Sequence, residues 1–359
     1  MSDGPALKAT IWDRPTDDSA RLVYADWLDE HGDSPRAEFV RVQIQAARLS
    51  KWDDARPALD ERAKALHAEH GPAWRAELPE RWREKAEFHR GFPVIQLQKL
   101  SRHELLNLTP DDLSAAPLAR YHYDFRGSKL AEYLDWPCAH KLEMFSPRRP
   151  VPDDWAERVA ACDALRNVWQ LCAIDLDLTP RRINVLLGAW ANRALPLLWF
   201  AGPMRDDGAE ALAAHPTGAQ VRELDLRGTK FTHIGMRHLN RSPHLRNVRD
   251  LDLGYADVGD AAVTELARGP FLSGLYSLNL TNNKLTDRAA YAIADSPAAA
   301  NLRALYFGDA KLGVAAVRAL ARSPHLVNLK KLGAGDGAGG RDEKVQAEVN
   351  ARFGPTALL

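Results

Sequence analysis

Four carboxylates share one spacing. Glu223 and Asp225 are followed 27 residues later by Asp250 and Asp252 (250 − 223 = 27, 252 − 225 = 27). In an extended strand, residues two apart share a face. If the 27-residue step joins neighbouring strands, all four carboxylates crowd onto two strands ~4.8 Å apart. Like charges so placed repel, and a basic partner or a cation relieves the repulsion. Arg227 neutralises the patch in part. Strand-borne carboxylates in solvent do not enclose an ion, so the pattern points to a protein-binding surface and not to a metal centre.

Other stretches carry chemistry-capable residue types without a convincing arrangement. Tyr24, Asp26, His31, Arg36, Glu38 and Arg41 include acid, base and cation types. Asp26 and His31 are five apart, a poor spacing for one helix face, so helix-end ion pairs and caps around Trp27 and Phe39 are expected. The run Gly333 to Gly340 lacks the Gly-Lys-Ser/Thr ending of a phosphate loop and reads as a flexible, degenerating final turn. His67, His70 and His89 have no metal-ligand spacing, and no nucleophile elbow or His-Glu-x-x-His occurs. The three cysteines, Cys138, Cys162 and Cys172, form neither a disulfide framework nor a Cys-x-x-Cys pair, and suit a reducing compartment. No catalytic residue, cofactor or metal is expected.

The acidic positions belong to a larger pattern. The leucines Leu224, Leu251, Leu278, Leu305 and Leu332 recur in steps of 27, and Pro216, Pro243, Pro270, Pro297 and Pro324 keep the same step in another phase. A fixed period of this length with an x-Leu-x-Leu core means a stacked leucine-rich solenoid. Leu171 and Leu198 extend the series upstream, with a one-residue deletion before Leu224. Each unit reads as a short strand, a turn closing on an apolar residue (Phe231, Val258, Leu285, Leu312), an alanine-rich helix such as Gly259 to Arg268, and a Ser/Gly-Pro stop. One strand and one helix cannot bury an apolar face alone, so neighbours must stack. Strands joined through helices run parallel. The fold class is therefore α/β: a curved parallel sheet with outer helices. Only Asn283 supplies the asparagine usual in the turn, and Thr229, Ala256 and Ala310 stand at its equivalents.

Strand alternation then defines two solvent-facing columns on the concave face. One reads Cys172, Trp199, Asp225, Asp252, Asn279, Tyr306, Gly333, and the other Gln170, Leu197, Glu223, Asp250, Ser277, Ala304, Lys331. Trp199 and Tyr306 flank the acidic centre as aromatic anchors, a type enriched in binding hot spots. The expected partner-binding residues are Trp199, Glu223, Asp225, Arg227, Asp250, Asp252, Asn279 and Tyr306.

Residues 1–90 read as an all-α domain. Ser19 to Glu30 forms a helix with Leu22, Val23 and Trp27 inward and Gly32 as its stop. Ser34-Pro35 caps the next, with Phe39, Val40, Ile44 and Ala47 inward. A third, Asp53 to His70, stops at Gly71-Pro72, and Trp74 and Trp82 follow in a charged segment. Val94, Ile95 and Leu97 read as a strand. Residues 91–165 read as degenerate repeats without a clear register, with strand cores at Leu142-x-Met144 and Tyr121-x-Tyr123. Regular repeats span 166–336, and 337–359 is a capping segment with a polar helix from Arg341 to Phe353.

The stretches 21–33 (RLVYADWLDEHGD) and 36–43 (RAEFVRVQ), with Arg90-Gly-Phe92, resemble the bacterial repeat-companion domain. The repeats resemble the ribonuclease-inhibitor-like class in period and in their helix-Ser-Pro-x-Leu signature. The companion family accompanies repeats and brings no established activity or ligand, so the resemblance implies architecture more than function.

Lys+Arg and Asp+Glu each number 48 in 359 residues, and this balance argues against nucleic acid as the partner. Met1 to Ile11 shows no signal-peptide pattern, and no apolar run reaches the ~20 residues that span a bilayer. The expectation is a cytoplasmic, non-enzymatic protein-interaction module, an adaptor, sensor or inhibitor subunit, gripping a protein with a basic surface. The alternative is an activity in the N-terminal domain that the repeats deliver to its target.

Overall fold

The structure, a computed structural model, describes residues 4–15, 17–97, 100–120, 125–126, 130–335 and 337–354. The chain forms two compact units. One is Met1–Ser146 with Cys162–Trp169, and the other is Pro147–Ala161 with Gln170–Leu359.

In the first unit, five helices precede a small sheet: α1 (Gly4–Asp13), α2 (Asp18–Glu30), α3 (Ser34–Arg48), α4 (Arg56–Ala76) and α5 (Glu80–Arg83). The inward face of α2 is Arg21, Tyr24, Ala25 and Leu28, one position round from the expected Leu22, Val23 and Trp27; Val23 is 49% exposed. Leu22 and Trp27 pack at the margin of a cluster of Ile11, Tyr24, Ala25, Leu28, Ala37, Val40, Ile44 and Phe92. A positive φ of 85° at Gly32 ends α2, as its lack of Cβ allows. The cap of α3 is Asp33, which accepts from the Arg36 amide, and Ser34 is the first helical residue.

Helix α4 does not stop at Gly71-Pro72 but continues through Pro72 to Ala76. Proline there forgoes one backbone hydrogen bond. Burial of Leu66 and Trp74 with Phe39, Val42 and Ala63 holds the two halves together. The strand expected from Val94 is the second arm of a hairpin, in which β1 (Ala86–His89) pairs antiparallel with β2 (Phe92–Gln96). Arg90 and Gly91 turn the hairpin at φ 51° and 82°. A Cβ on Gly91 would lie 2.3 Å from Val40 Cγ2, so the turn packs directly on α3.

Beyond the hairpin, β3 (Leu118–Arg120) pairs parallel with β2, and Ala119 bridges in parallel to Leu142. These steps of 24 and 23 residues (118 − 94, 142 − 119) are shorter than 27, which explains why the phase was lost in the sequence. Tyr121-x-Tyr123 lies outside the described residues.

The second unit is an α/β solenoid of leucine-rich repeats. Strands Gln170–Ile174, Leu197–Ala201, Glu223–Asp225, Asp250–Asp252, Ser277–Asn279, Ala304–Tyr306 and Lys331–Gly333 lie side by side in chain order. All their pairings are parallel, and Leu171, Leu198, Leu224, Leu251, Leu278, Leu305 and Leu332 align across them. Each of these leucines is at most 2% exposed.

Polar ladders accompany the apolar core. Ser242, Ser296 and Ser323 donate to the carbonyls of Ala213, Ala267 and Ala294, each 29 residues back. The serine of each Ser-Pro stop therefore satisfies an orphan carbonyl at the end of the preceding repeat's helix. Asn283 donates to Leu253 O and Leu280 O and accepts from Val258 N. At the equivalent position, buried Thr229 donates to Leu226 O.

The glycine-rich stretch after Lys331–Gly333 is tightly packed rather than loose, apart from Asp336, which lies outside the described residues. A Cβ on Gly337 would come within 2.4 Å of Leu312 N, and one on Gly340 within 2.2 Å of Gly335 O. The last helix, Glu343–Phe353, is capped by Asp342 and tied back by Glu348 to Arg318 and Arg322. Its Arg352 donates to Ala321 O and Ser323 O, closing the serine ladder.

Candidate functional site

The parallel register sets the columns read from the sequence. Cys172, Trp199, Asp225, Asp252, Asn279, Tyr306 and Gly333 are paired neighbour to neighbour, as are Gln170, Leu197, Glu223, Asp250, Ser277, Ala304 and Lys331. Their exposure is lower than alternation alone predicts. Trp199, Glu223, Asp252, Asn279 and Tyr306 are half-buried. Asp225 (6%), Asp250 (9%) and Cys172 (0%) are buried.

Two causes account for this. Each side chain is flanked by neighbours only ~4.8 Å away, and the column folds back on its own backbone. Asp225 Oδ1 accepts from Arg227 N at 3.0 Å, Asp252 Oδ1 from Gly254 N at 2.7 Å, and Asn279 Oδ1 from Thr281 N at 3.0 Å. The same turn closes three successive strands, each time with an Asp or Asn bonding two residues on. Asn279 Nδ2 also donates to Asp252 Oδ1 at 3.0 Å. These side chains thus have a structural role, and the four carboxylates are not equally presented to a partner.

Arg227 is exposed and dominates the electrostatics of the centre. Its Nε lies 2.8 Å from Asp225 Oδ2 and its Nη2 2.6 Å from the same oxygen, with Asp252 Oδ2 at 3.9 Å. The hydrogen bonds to Asp225 push the Arg227 pKa further up. Burial lifts the Asp252 pKa, the charge of Asp225 adds to the rise, and the Gly254 amide opposes it.

A third column lies one residue outside the x-Leu-x-Leu core, where core alternation alone does not point to it. Arg222, Arg249, Tyr276, Arg303 and Lys330 follow one another through a backbone ladder: Arg249 N donates to Arg222 O, Tyr276 N to Arg249 O, Arg303 N to Tyr276 O and Lys330 N to Arg303 O. The Arg249 and Arg303 guanidinium carbons lie 5.6 and 4.8 Å from the Tyr276 ring centroid. Two cations thus flank one aromatic ring, with Arg222 and Lys330 one strand further out on either side, and all five residues keep the 27-residue step.

The N-terminal set does not converge. Arg41 pairs with Asp26 and Asp29, Arg62 with Glu38, and Arg36 with Glu77. His31 stacks on Trp27 at 4.1 Å and meets the Trp27 carbonyl. His67, His70 and His89 lie against Phe39, Trp74 and Trp169 respectively.

The first unit instead buries a charged cluster that sequence spacing did not show. Arg21 is 1% exposed, donates to Asp17 O and lies over Phe92, and burial pushes its pKa down to about 10. Arg90 pairs with Asp18, and Glu143, 1% exposed, lies 3.9 Å from His89. Burial also pushes the Cys138 thiol up to about 11, which keeps it protonated and unreactive.

Among the described residues, no group of three or more His, Cys, Asp or Glu side chains could hold a metal, and no helix is long and apolar enough to cross a membrane.

Residues 244–267 and 275–294 match the family described as Leucine Rich repeat, within the repeats laid out above. No curated protein matches the chain. Similar solved structures include a protein from Bacteroides fragilis (14% identity, 61% of this chain and 74% of that one, TM-score 0.43). An internalin from Listeria monocytogenes is similar at 17% identity, over 55% of this chain and 54% of that one, with a TM-score of 0.32. The Rad7 and Elc1 complex of yeast is similar at 15% identity, over 92% and 93%, with a TM-score of 0.32. This chain thus spans about half of the internalin.

Proposed function

We propose that this protein is a non-enzymatic interaction module, an adaptor, sensor or inhibitor subunit, that grips a protein partner on the sheet face of its repeats. The observation that carries the reading is the placement of Trp199 and Tyr306. They stand in one column four strand steps apart, half-buried, with Arg227, Asp252 and Asn279 between or beside them. Four steps at ~4.8 Å make ~19 Å, a span suited to two anchors within one protein interface of standard size. A basic partner surface remains part of the reading through Glu223 and Asp252, the half-buried members of the acidic set. Asp225 and Asp250 contribute to the field from behind them.

Residues 1–90 are read as a bacterial repeat-companion domain, on the motifs at 21–33, 36–43 and 90–92. Its role here is to accompany the repeats. A catalytic role would need Asp26, His31 and Glu38 to meet, whereas each engages a different partner. Three free cysteines favour a cytoplasmic setting. Balanced charge disfavours nucleic acid as the partner.

A photo-crosslinking amino acid at position 199 tests the reading in the native host, with Tyr291 on the helix layer as the control position. Adducts with a protein from position 199 and none from 291 support it. Equal adducts from both, or adducts from 291 alone, contradict it.

A further inference from the structure

A depression lies off the sheet face, where the strands turn into the helices. The residue four past each core leucine forms a column of its own: Asp175, Gly202, Gly228, Tyr255, Asn282 and Asp309. Five of these hold left-handed backbone, with φ of 56° at Asp175, 70° at Gly228, 56° at Tyr255, 55° at Asn282 and 25° at Asp309. Gly, Asn and Asp tolerate that region, and a bulky aromatic does not. Tyr255 is therefore the strained member. Packing does not compensate, because the residue is 64% exposed. A large side chain held in unfavourable backbone and presented to solvent points to function.

The two glycines beside Tyr255 complete the picture. With no side chains at Gly202 and Gly228, the column has a gap two repeats wide between Asp175 and Tyr255. The gap is a depression of about 450 Å³, lined by Ile174, Ala201, Pro203, Arg227 and Lys230 as well as the column residues. That is the size of a small-ligand or side-chain pocket. Part of the lining is apolar, with Ile174, Ala201 and Pro203. Arg227 and Lys230 stand at the Tyr255 end, and Asp175 at the other. Arg227 is shared with Asp225, but Lys230 makes no ion pair among the described residues.

We propose that this depression binds an extended acidic peptide segment of a protein partner. A Glu or Asp carboxylate meets Lys230 and Arg227, and the neighbouring residue packs on the Tyr255 ring. Apart from Arg227, its residues are not those of the sheet-face site, so it does not depend on that reading. The strain at Tyr255 then has a rationale: Gly or Asn would suit the turn better, and neither supplies the ring.

The test is selection of a random heptapeptide display library on the full-length chain, with counter-selection on Gly228→Asn. Asn282 holds the same backbone at φ 55°, and a Cβ at Gly228 has nothing within 4 Å, so this variant fills the depression without disturbing the fold. Peptides that survive are expected to be enriched in Glu and Asp and to bind Lys230→Gln about tenfold more weakly. They should bind Asp175→Asn more tightly, since that change removes a like charge. They should lose affinity on Tyr255→Gly, while that variant melts at a higher temperature than the parent. Trp199→Ala with Tyr306→Ala should leave their binding unchanged, which separates this site from the sheet face. The proposal is overturned if no peptide distinguishes the parent from Gly228→Asn, if the survivors are not acidic, or if Asp175→Asn weakens them.

Discussion

Arg227 and Asp225 form a two-pronged pair at the centre of the sheet face, with Nε and Nη2 2.8 and 2.6 Å from one carboxylate oxygen and Nε 3.0 Å from the other. The guanidinium is exposed and the carboxylate 6% exposed, so a cation covers an acid that would otherwise face solvent. Removing either partner has different consequences. Arg227→Ala leaves Asp225 buried beside Asp252 without its main neutralising charge, and stability should fall by about 1–3 kcal/mol. Arg227→Ala with Asp225→Asn should recover most of that loss. A double-mutant cycle on urea-unfolding midpoints measures the coupling.

Asp252 gives the fold a definite pH signature. Burial first, and then the charge of Asp225, raise its pKa above the ordinary 3.8. A carboxyl whose folded pKa is raised holds its proton more tightly in the folded chain. Its favourable contribution is full below the ordinary value and is lost as pH rises through the raised one. The parent should therefore lose stability relative to Asp252→Asn as pH rises through that window, and the difference should level off above it. Parallel thermal melts of the two proteins from acid to neutral pH read this directly.

The serine ladder predicts an exception at Gly269, where the neighbouring repeats carry serine. A Cβ there would lie 2.1 Å from the Asn240 side chain, which fills the space and donates to Glu265 O. Gly269→Ser, although it matches Ser242 and Ser296, should cost about 1–3 kcal/mol through overpacking. With Asn240→Ala the same serine gains room and a carbonyl 29 residues back, and the cost should largely disappear. Ser296→Ala should cost about 1–3 kcal/mol, because it leaves the Ala267 carbonyl unsatisfied. Denaturant midpoints of the three variants and the parent decide these points.

The repeats were legible because their information is periodic. Core leucines, stop prolines and column register all follow from a 27-residue step. What was not legible depends on local geometry inside one repeat. The burial of Asp225 follows from a turn bonding it to its own neighbour two residues on, which alternation does not encode. Helix α4 overran Gly71-Pro72 because Leu66 and Trp74 reach one core from either side of the proline, a tertiary effect. Only the second arm of the β1–β2 hairpin is legible in the sequence, because Ala86–His89 alternates weakly and follows a charged helix.

The charged cluster of the first unit is not legible in the sequence, since Asp18 and Arg21 lie far along the chain from Arg90 and Glu143. Its burial makes it sensitive to loss of one sign. Glu143→Leu leaves Arg21 and Arg90 less compensated and should destabilise this unit by about 3–5 kcal/mol. Hydrogen exchange should show lost protection in α2 and the hairpin, with Glu223–Asp225 and the later repeat strands little changed.

The central claim is that the protein binds a partner through the sheet face, and affinity purification from the native host tests it most directly. The parent chain would be compared by mass spectrometry with Trp199→Ala/Tyr306→Ala and with Asp225→Lys/Asp252→Lys, each shown to melt cooperatively. A protein recovered with the parent and lost from both variants is the predicted result. A protein recovered equally with all three, or none recovered with the parent, would contradict the claim.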